Sequence, residues 1–249
     1  MRTLRVAPVV APLALLMLLV GGCSGDPQSS SEPSGADAGA WVEAVASGDP
    51  SSLDRAAEDA APGSPAREYA AALATYARAS AAAGRPVSAA TVSGDGPWKV
   101  CVADACTTYA DPVGAEGSDG ALADLSVDSG SLADEVVDVS GQGPFEPDGL
   151  FEVAPRVAVV APGGDLAIVV GLTSRDAALE VRARGALYVE ASTVLTGADA
   201  ATSVPAGSSA GAVLVFPGAS GVALDGQVTF DVLLGDRPTS VGFGLGDAG

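Results

Sequence analysis

Residues 151–174, FEVAPRVAVVAPGGDLAIVVGLTS, predict the β-rich half of this chain. Every second residue in the last part of the stretch is large and apolar, the two-residue period of a strand: Leu166, Ile168, Val170 and Leu172. The intervening segment APGGDLA contains paired small residues, which are typical of a turn. It is not a phosphate-binding loop, because such a loop is followed by a helix and this one is followed by a predicted strand. We therefore predict two strands separated by a turn.

Only strands are predicted downstream of this stretch. Val228, Phe230, Val232 and Leu234 alternate in the same way. Across residues 149–249 we predict these strands: FEVAPRVAVVA, DLAIVVGLTS, ALEVRAR, ALYVEAST, AATSVPA, AVLVFPG and QVTFDVLL. Short strands punctuated by turns over about one hundred residues predict an all-β sandwich of immunoglobulin-like architecture. The Cys-Trp-Cys signature of true immunoglobulin domains is absent, so the likeness is one of architecture.

Upstream of this half, the apolar residues first recur with the spacing of a helix and later with the two-residue spacing of a strand. Ser64 and Pro65 provide an N-cap and a first-turn proline, and the helix they begin is stopped at Gly84. Its apolar residues have helical spacing: Tyr69, Leu73 and Tyr76. WVEAVASGD and SSLDRAAEDAA predict two shorter helices broken at residues 48–50. After Pro86 the predicted strands are VSAATVS, WKVCVAD, CTTYA, ALADLSVD and DEVVDVS.

Helices followed by antiparallel strands predict an α+β domain over residues 41–145. This order resembles the nuclear-transport-factor-2-like fold, in which helices line the concave face of a curved sheet. The segment GQGPFEPDG, at 141–149, is the predicted boundary to the sandwich. The two halves are accordingly predicted to fold separately.

Cys101 and Cys106 are predicted to form a disulfide. With Ala103 and Asp104 at the tip of a two-residue hairpin, the cysteines face each other at about 4.5 Å between Cα atoms. A four-residue loop is an equal alternative, because those tip residues match the preferred turn poorly. A zinc site would need further ligands, and redox pairs usually have two intervening residues.

The N-terminus carries the features of an export signal. Arg2 and Arg5 precede an apolar run, two glycines and Cys23. The run is shorter than the roughly 20 residues of a membrane-spanning helix, which is the rival interpretation. A second rival interpretation is an ordinary secretory signal in which Cys23 has no role. Residues 1–22 are predicted to be the signal peptide and residues 23–40 a flexible, Ser- and Pro-rich tether spanning about 20 Å.

The segment Val20-Gly21-Gly22-Cys23 resembles the lipobox of bacterial lipoproteins. That resemblance implies that Cys23 receives a diacylglycerol and becomes the first residue of the mature chain. Two acyl chains make such an anchor stable. The whole plan resembles a group of uncharacterised actinobacterial lipoproteins with a C-terminal immunoglobulin-like sandwich. The resemblance implies an extracytoplasmic location on the cell membrane and no particular activity.

The charge of the chain excludes some partners. Loss of Arg2 and Arg5 with the signal changes the net charge from −19 to −21. Nucleic acid is excluded as a partner, because Lys99 is the sole lysine and phosphate binding needs a basic patch. Anionic headgroups would repel the acidic body, so the membrane is contacted through the lipid alone.

The chain has no histidine, which removes Ser-His-Asp and Cys-His mechanisms. Calcium binding between Asp111 and Gly120 is one alternative to an ordinary acidic loop, with oxygen ligands from Asp111, Glu116 and Asp119. No cofactor or other metal site is predicted.

Three functions remain. The first is a non-enzymatic binding or interaction module of the cell envelope with an unknown envelope protein as partner. The second is a small-ligand carrier or sensor with a pocket in the N-terminal domain, lined by Trp41, Tyr69, Tyr76 and Trp98, which are otherwise core aromatics. The third is a hydrolase with a pair of carboxylates, although no carboxylate is marked out by its neighbours.

Overall fold

The computed structural model of the chain describes residues 35–117 and 120–246. The predicted signal peptide, Cys23 and most of the predicted tether lie outside these residues. The described part is a mixed α+β structure with three helices followed by antiparallel sheets. In these two described segments, no helix combines the length and the hydropathy needed to cross a bilayer.

The structure contains the three predicted helices, and the third has the N-cap that the sequence predicts. They are α1 (Gly35–Ala46), α2 (Pro50–Asp59) and α3 (Pro65–Ala82). Asp49 caps α2 and Ser64 caps α3, and each is followed by a proline at the first helical position. Residues 35–40, predicted as tether, are helical instead. Ala38 of this turn is fully buried in the core, and that burial favours helix over solvated chain.

Five strands form the N-terminal sheet in sequence order: β1 (Thr91–Ser93), β2 (Trp98–Val102), β3 (Ala105–Gly114), β4 (Leu122–Val127) and β5 (Gly130–Ser131). The tip of the β2–β3 hairpin is Ala103-Asp104, the two-residue alternative of the two that the sequence left open. Cys101 and Cys106 are directly paired with 4.0 Å between Cα atoms, and their sulfur atoms lie at disulfide distance.

Nine further strands complete the described chain: β6 (Val136–Asp138), β7 (Phe151–Ala161), β8 (Asp165–Ser174), β9 (Leu179–Glu190), β10 (Thr193–Thr196), β11 (Ala201–Val204), β12 (Ser209–Phe216), β13 (Gln227–Leu234) and β14 (Arg237–Gly244). We call β12-β8-β7-β6, in that spatial order, the central sheet. We call β10-β9-β13-β14, with β11 also paired to β9, the outer sheet.

The central sheet is buried on both faces. One face packs on the helices and the N-terminal sheet through valines and alanines, among them Val157, Val159 and Val169. The other face packs on the outer sheet through larger residues, among them Leu166 and Ile168. Both cores therefore depend on the hairpin of β7 and β8, the stretch with which the sequence analysis began.

Two features of the outer sheet differ from the sequence predictions. ALEVRAR and ALYVEAST are one strand, β9, because Gly185 has a φ of 95° and the register with β13 shifts there, so a bulge continues the strand. Strands β10 and β14 were not predicted. In β14, Pro238, Gly242 and Gly244 interrupt the alternation, although the strand pairs with β13 along its full length.

The predicted boundary at 141–149 does not separate two sheets. Strand β6 precedes it in sequence yet pairs with β7, with Val136 opposite Val159. Helix α3 packs on β7, β8 and β12 of the same sheet. Independent folding of the two halves stays a prediction, and this packing opposes it.

Candidate functional site

A small pocket with both apolar and polar lining groups lies where the three helices meet the central sheet. It has a volume of about 270 Å³, and we call it the Tyr76–Arg85 pocket. Its walls come from the C-terminal end of α1, from α2 and α3, from the segment 85–90, and from the β7–β8 turn. Its apolar lining includes Val45, Leu53 and Leu73. A cavity that combines aliphatic side chains with polar groups has the character of a small-molecule site.

The end of α3 positions Arg85 at this pocket. Gly84 has a φ of 74°, and the Arg85 amide donates to the Ser80 carbonyl at 2.8 Å, which closes a Schellman motif. The helix therefore stops, and residues 85–90 pass over the cavity. The Ala90 amide holds the far end of this segment by donating to the Ala46 carbonyl at 2.7 Å.

Arg85 carries an unsatisfied donor. Its Nε is shielded from solvent and has no hydrogen-bond acceptor among the described residues. A buried donor without a partner is costly, so native structures usually satisfy it. No acidic side chain in the described ranges forms an ion pair with Arg85, although four other arginines have such partners.

Tyr76 is the second polar group of the pocket. It lies half-buried on α3, and burial, more than any neighbouring charge, raises the pKa of its hydroxyl above 10. A hydrogen bond with the Ser80 side chain and, to a smaller extent, the charge of Arg85 act in the opposite direction. The hydroxyl consequently remains protonated near neutral pH and can donate a hydrogen bond to a ligand.

The structure does not bring the four predicted aromatic residues into one pocket. Trp41, Tyr69 and Trp98 are buried core residues, and Tyr76 alone lines the Tyr76–Arg85 pocket. Trp41 packs on Tyr69 with 6.3 Å between ring centroids. The Trp41 Nε1 is the other buried nitrogen in the described chain that lacks a hydrogen-bond partner.

Tyr69 joins three parts of the fold through its hydroxyl. That hydroxyl donates to the Val160 carbonyl at 2.9 Å and lies 3.0 Å from the hydroxyl of Tyr109. A hydroxyl has one proton, so Tyr109 is the donor to Tyr69. Tyr69 thereby connects α3 with β3 and β7, and its role is structural.

A second, acidic cleft of about 520 Å³ lies between the β4–β5 turn and the segment 220–225. Glu135 lines it, half-buried. Burial first, and then the carboxylates of Asp128 and Asp134, raise the pKa of Glu135 from 4.5 to about 7. The sequence analysis placed Glu135 in a strand; Leu132–Glu135 is instead a 3₁₀ turn capped by Ser131.

A carboxyl with a raised pKa beside an ionised one has the composition of an acid pair. The neighbours of Glu135, however, have structural roles. Asp128 accepts a hydrogen bond from the Thr108 amide at 2.7 Å, and Asp134 accepts one from the Ser131 amide at 3.0 Å. These carboxylates fix turns of the N-terminal sheet, so we interpret the raised pKa of Glu135 as a consequence of burial.

Glu135→Gln is expected to stabilise the protein at high pH. Because the folded state binds the Glu135 proton more tightly than the unfolded state, stability falls as pH rises from about 4.5 to 7. The amide removes this penalty, which we put at about 1–2 kcal/mol after discounting for partial solvent exposure. Urea unfolding at pH 8 and pH 4.5 should show the gain at pH 8 alone.

The matched control is Glu58→Gln, which changes an exposed carboxyl on α2. Its free energy of unfolding should differ from that of the parent by the same small amount at both pH values. An equal gain for Glu135→Gln at pH 4.5 and pH 8 would show that titration of Glu135 is not its cause.

The predicted calcium loop is described only in part, since Asp119 lies outside the described residues. Asp111 has a φ of 49° and accepts a hydrogen bond from the Ser126 hydroxyl at 3.0 Å. Within residues 35–117 and 120–246, no cluster of three Asp, Glu or Cys side chains could hold a metal ion. Calcium binding therefore gains no support from this part of the chain.

Sequence reasoning missed Arg85 and Glu135. Arg85 directly follows Gly84, at which the predicted helix stops, and no local pattern marks it as a binding residue. Glu135 precedes two valines and was absorbed into a strand. Its raised pKa depends on burial and on the charge of Asp128, and no local pattern reveals either.

No family model matches the chain, and neither a curated protein nor a solved structure shows significant similarity to it.

Proposed function

We propose that this protein is a non-enzymatic binding module, anchored by a lipid on Cys23 to the extracytoplasmic face of the cell membrane, and that it binds a small ligand. The observation that carries the proposal is the Tyr76–Arg85 pocket, which combines an apolar lining with an unsatisfied buried donor. This pocket favours the carrier or sensor form of the module. The Val20–Cys23 segment supports the anchor.

The same proposal includes a finer description of the fold. We interpret the central and outer sheets, which pack face to face on one core, as an immunoglobulin-like sandwich. We interpret the helices and the N-terminal sheet as an arrangement resembling the nuclear-transport-factor-2-like fold. On this interpretation the ligand site lies at the junction of the two units.

A protein-interaction function is the second candidate. Leu187 and Val189 of β9 are about 40% exposed, and Val194 of β10, paired with Val189, is 59% exposed. Neighbouring exposed apolar side chains on a sheet surface can mark a contact with another protein. None of these three residues lines the Tyr76–Arg85 pocket, so the two functions are compatible.

Cys23→Ser is expected to release the protein from the membrane. The substitution removes the thiol that the lipid would occupy, and an unlipidated acidic body is repelled by anionic headgroups. Fractionation of an expressing bacterium after a high-salt wash checks this. The native protein should remain in the membrane fraction and Cys23→Ser should become soluble. The matched control is Cys106→Ser, which keeps Cys23 and should remain in the membrane fraction. Continued membrane association of Cys23→Ser would contradict the proposal that a lipid on Cys23 anchors the protein.

A further inference from the structure

The Tyr76–Arg85 pocket has two hydrogen-bond donors among its lining side chains. Arg85 supplies the guanidinium with the unpartnered Nε, and Tyr76 supplies a protonated hydroxyl. The other walls present mainly aliphatic groups, including Val45, Leu53 and Leu73. A complementary molecule thus combines an acceptor group with a hydrocarbon body.

The charge of Arg85 selects the acceptor. A guanidinium binds carboxylates through parallel hydrogen bonds, and such charge-assisted bonds are stronger than neutral ones. Arg85 has no carboxylate partner within residues 35–117 and 120–246, and its Nε is shielded from solvent. A bound ligand with a carboxylate would supply the acceptor that the described residues do not offer to this Nε.

One acidic residue also lines the pocket. Asp165 lies at the β7–β8 turn, and its carboxylate accepts a hydrogen bond from the Gly218 amide at 3.3 Å. This bond directs one of its oxygens to the loop after β12. A single negative charge at the wall disfavours a doubly charged phosphate more than a carboxylate, because repulsion grows with the ligand's charge.

We propose that the Tyr76–Arg85 pocket binds a small amphiphilic carboxylate, with its hydrocarbon chain between the helices and its carboxylate bonded to Arg85 and Tyr76. The volume of about 270 Å³ lies just below the usual range for ligand sites, about 300–1,000 Å³, and indicates a chain of medium length. The inference rests on the proposed function, since it names the ligand class of the same site.

The test uses the protein from Cys23 to Gly249 with Cys23 replaced by serine, and octanoate as the probe. Calorimetric titration should detect octanoate binding, and Arg85→Gln should weaken it at least tenfold through loss of a charge-assisted hydrogen bond. Arg85→Lys keeps the charge but lacks the Nε donor and should also weaken binding. Ala77→Leu, a change in the pocket wall, should compete for the space of the chain.

Arg78→Gln is the matched control. It removes the same charge from an exposed position on α3, where Arg78 pairs with Asp54, and it does not touch the cavity. Octanol and octylamine test the role of the carboxylate and should bind at least tenfold more weakly than octanoate. Equal binding of octanol, or equal loss in Arg78→Gln and Arg85→Gln, would overturn the inference.

A thermal-shift screen separates this inference from the proposed function. A ligand that binds the folded state raises the melting temperature by mass action. Neutral or cationic ligands that stabilise the protein but not Ala77→Leu would overturn the carboxylate inference and leave ligand binding in place. If neither octanoate nor any member of a broad library stabilises the protein, both are overturned. Circular dichroism of each variant establishes that it is folded.

Discussion

Tyr69→Ala is expected to lower the free energy of unfolding by about 4–5 kcal/mol. The side chain is 1% exposed and fills the space between α3, β3 and β7. Removing a buried aromatic ring costs about 3–5 kcal/mol, and the loss of its hydroxyl leaves the Val160 carbonyl and the Tyr109 hydroxyl unpaired. Chemical denaturation of the Cys23→Ser protein, monitored by circular dichroism, measures the change.

Tyr69→Phe isolates the hydroxyl. It keeps the ring and should cost about 1–3 kcal/mol, the penalty for leaving buried polar groups unsatisfied. Tyr109→Phe removes the other hydroxyl, and the double variant should cost less than the sum of the two single ones. If Tyr69→Phe is neutral, or if the two effects add, the hydroxyl pair does not couple the helix to the sheets.

The fragment 149–249 is expected not to fold alone. It would expose the helix-side face of the central sheet, including Val157, Val159 and Val169, and would lose β6. Each buried valine contributes about 1.5–3 kcal/mol, so exposure of several exceeds much of the 5–15 kcal/mol that stabilises a typical domain. Far-ultraviolet circular dichroism and thermal unfolding should show no cooperative transition.

The complementary fragment 35–148 provides the control. Mixed with 149–249, it supplies α3 and β6 and should restore a cooperative transition. The chain from residue 35 to residue 249 should unfold in one step under the same conditions. Cooperative unfolding of 149–249 alone, at the melting temperature of the longer chain, would establish two independent domains and contradict the expectation.

Local sequence patterns were sufficient to predict the helices and the hairpin of β7 and β8. Ser64 with Pro65 locates the start of α3, and the alternation of residues 151–174 gives β7 and β8 with their observed bounds. Strand β14 escaped prediction because Pro238, Gly242 and Gly244 weaken its period, and only pairing with β13 makes it a strand. Tertiary contacts decided its structure.

The candidate site was predictable only in part. Tyr76 was predicted as a pocket residue because it is aromatic, and it does line the Tyr76–Arg85 pocket. Arg85 became a candidate because it lines a pocket together with α1, α2 and the β7–β8 turn. These elements lie up to 80 residues away in sequence, so no local pattern could identify Arg85. The same limit explains why Trp41, Tyr69 and Trp98, chosen by residue type alone, proved to be core residues.

The two-faced burial of the central sheet determines how its strands find their alignment. In a sheet with one wet face, a slip of one residue is penalised because apolar side chains turn to solvent. Here both faces are apolar, and they differ in size. The helix side carries alanines and valines, and the other side carries Leu166, Ile168, Leu214 and Phe216. A one-residue slip would force large side chains against α3 and leave voids opposite, so side-chain volume, rather than polarity, selects the correct alignment.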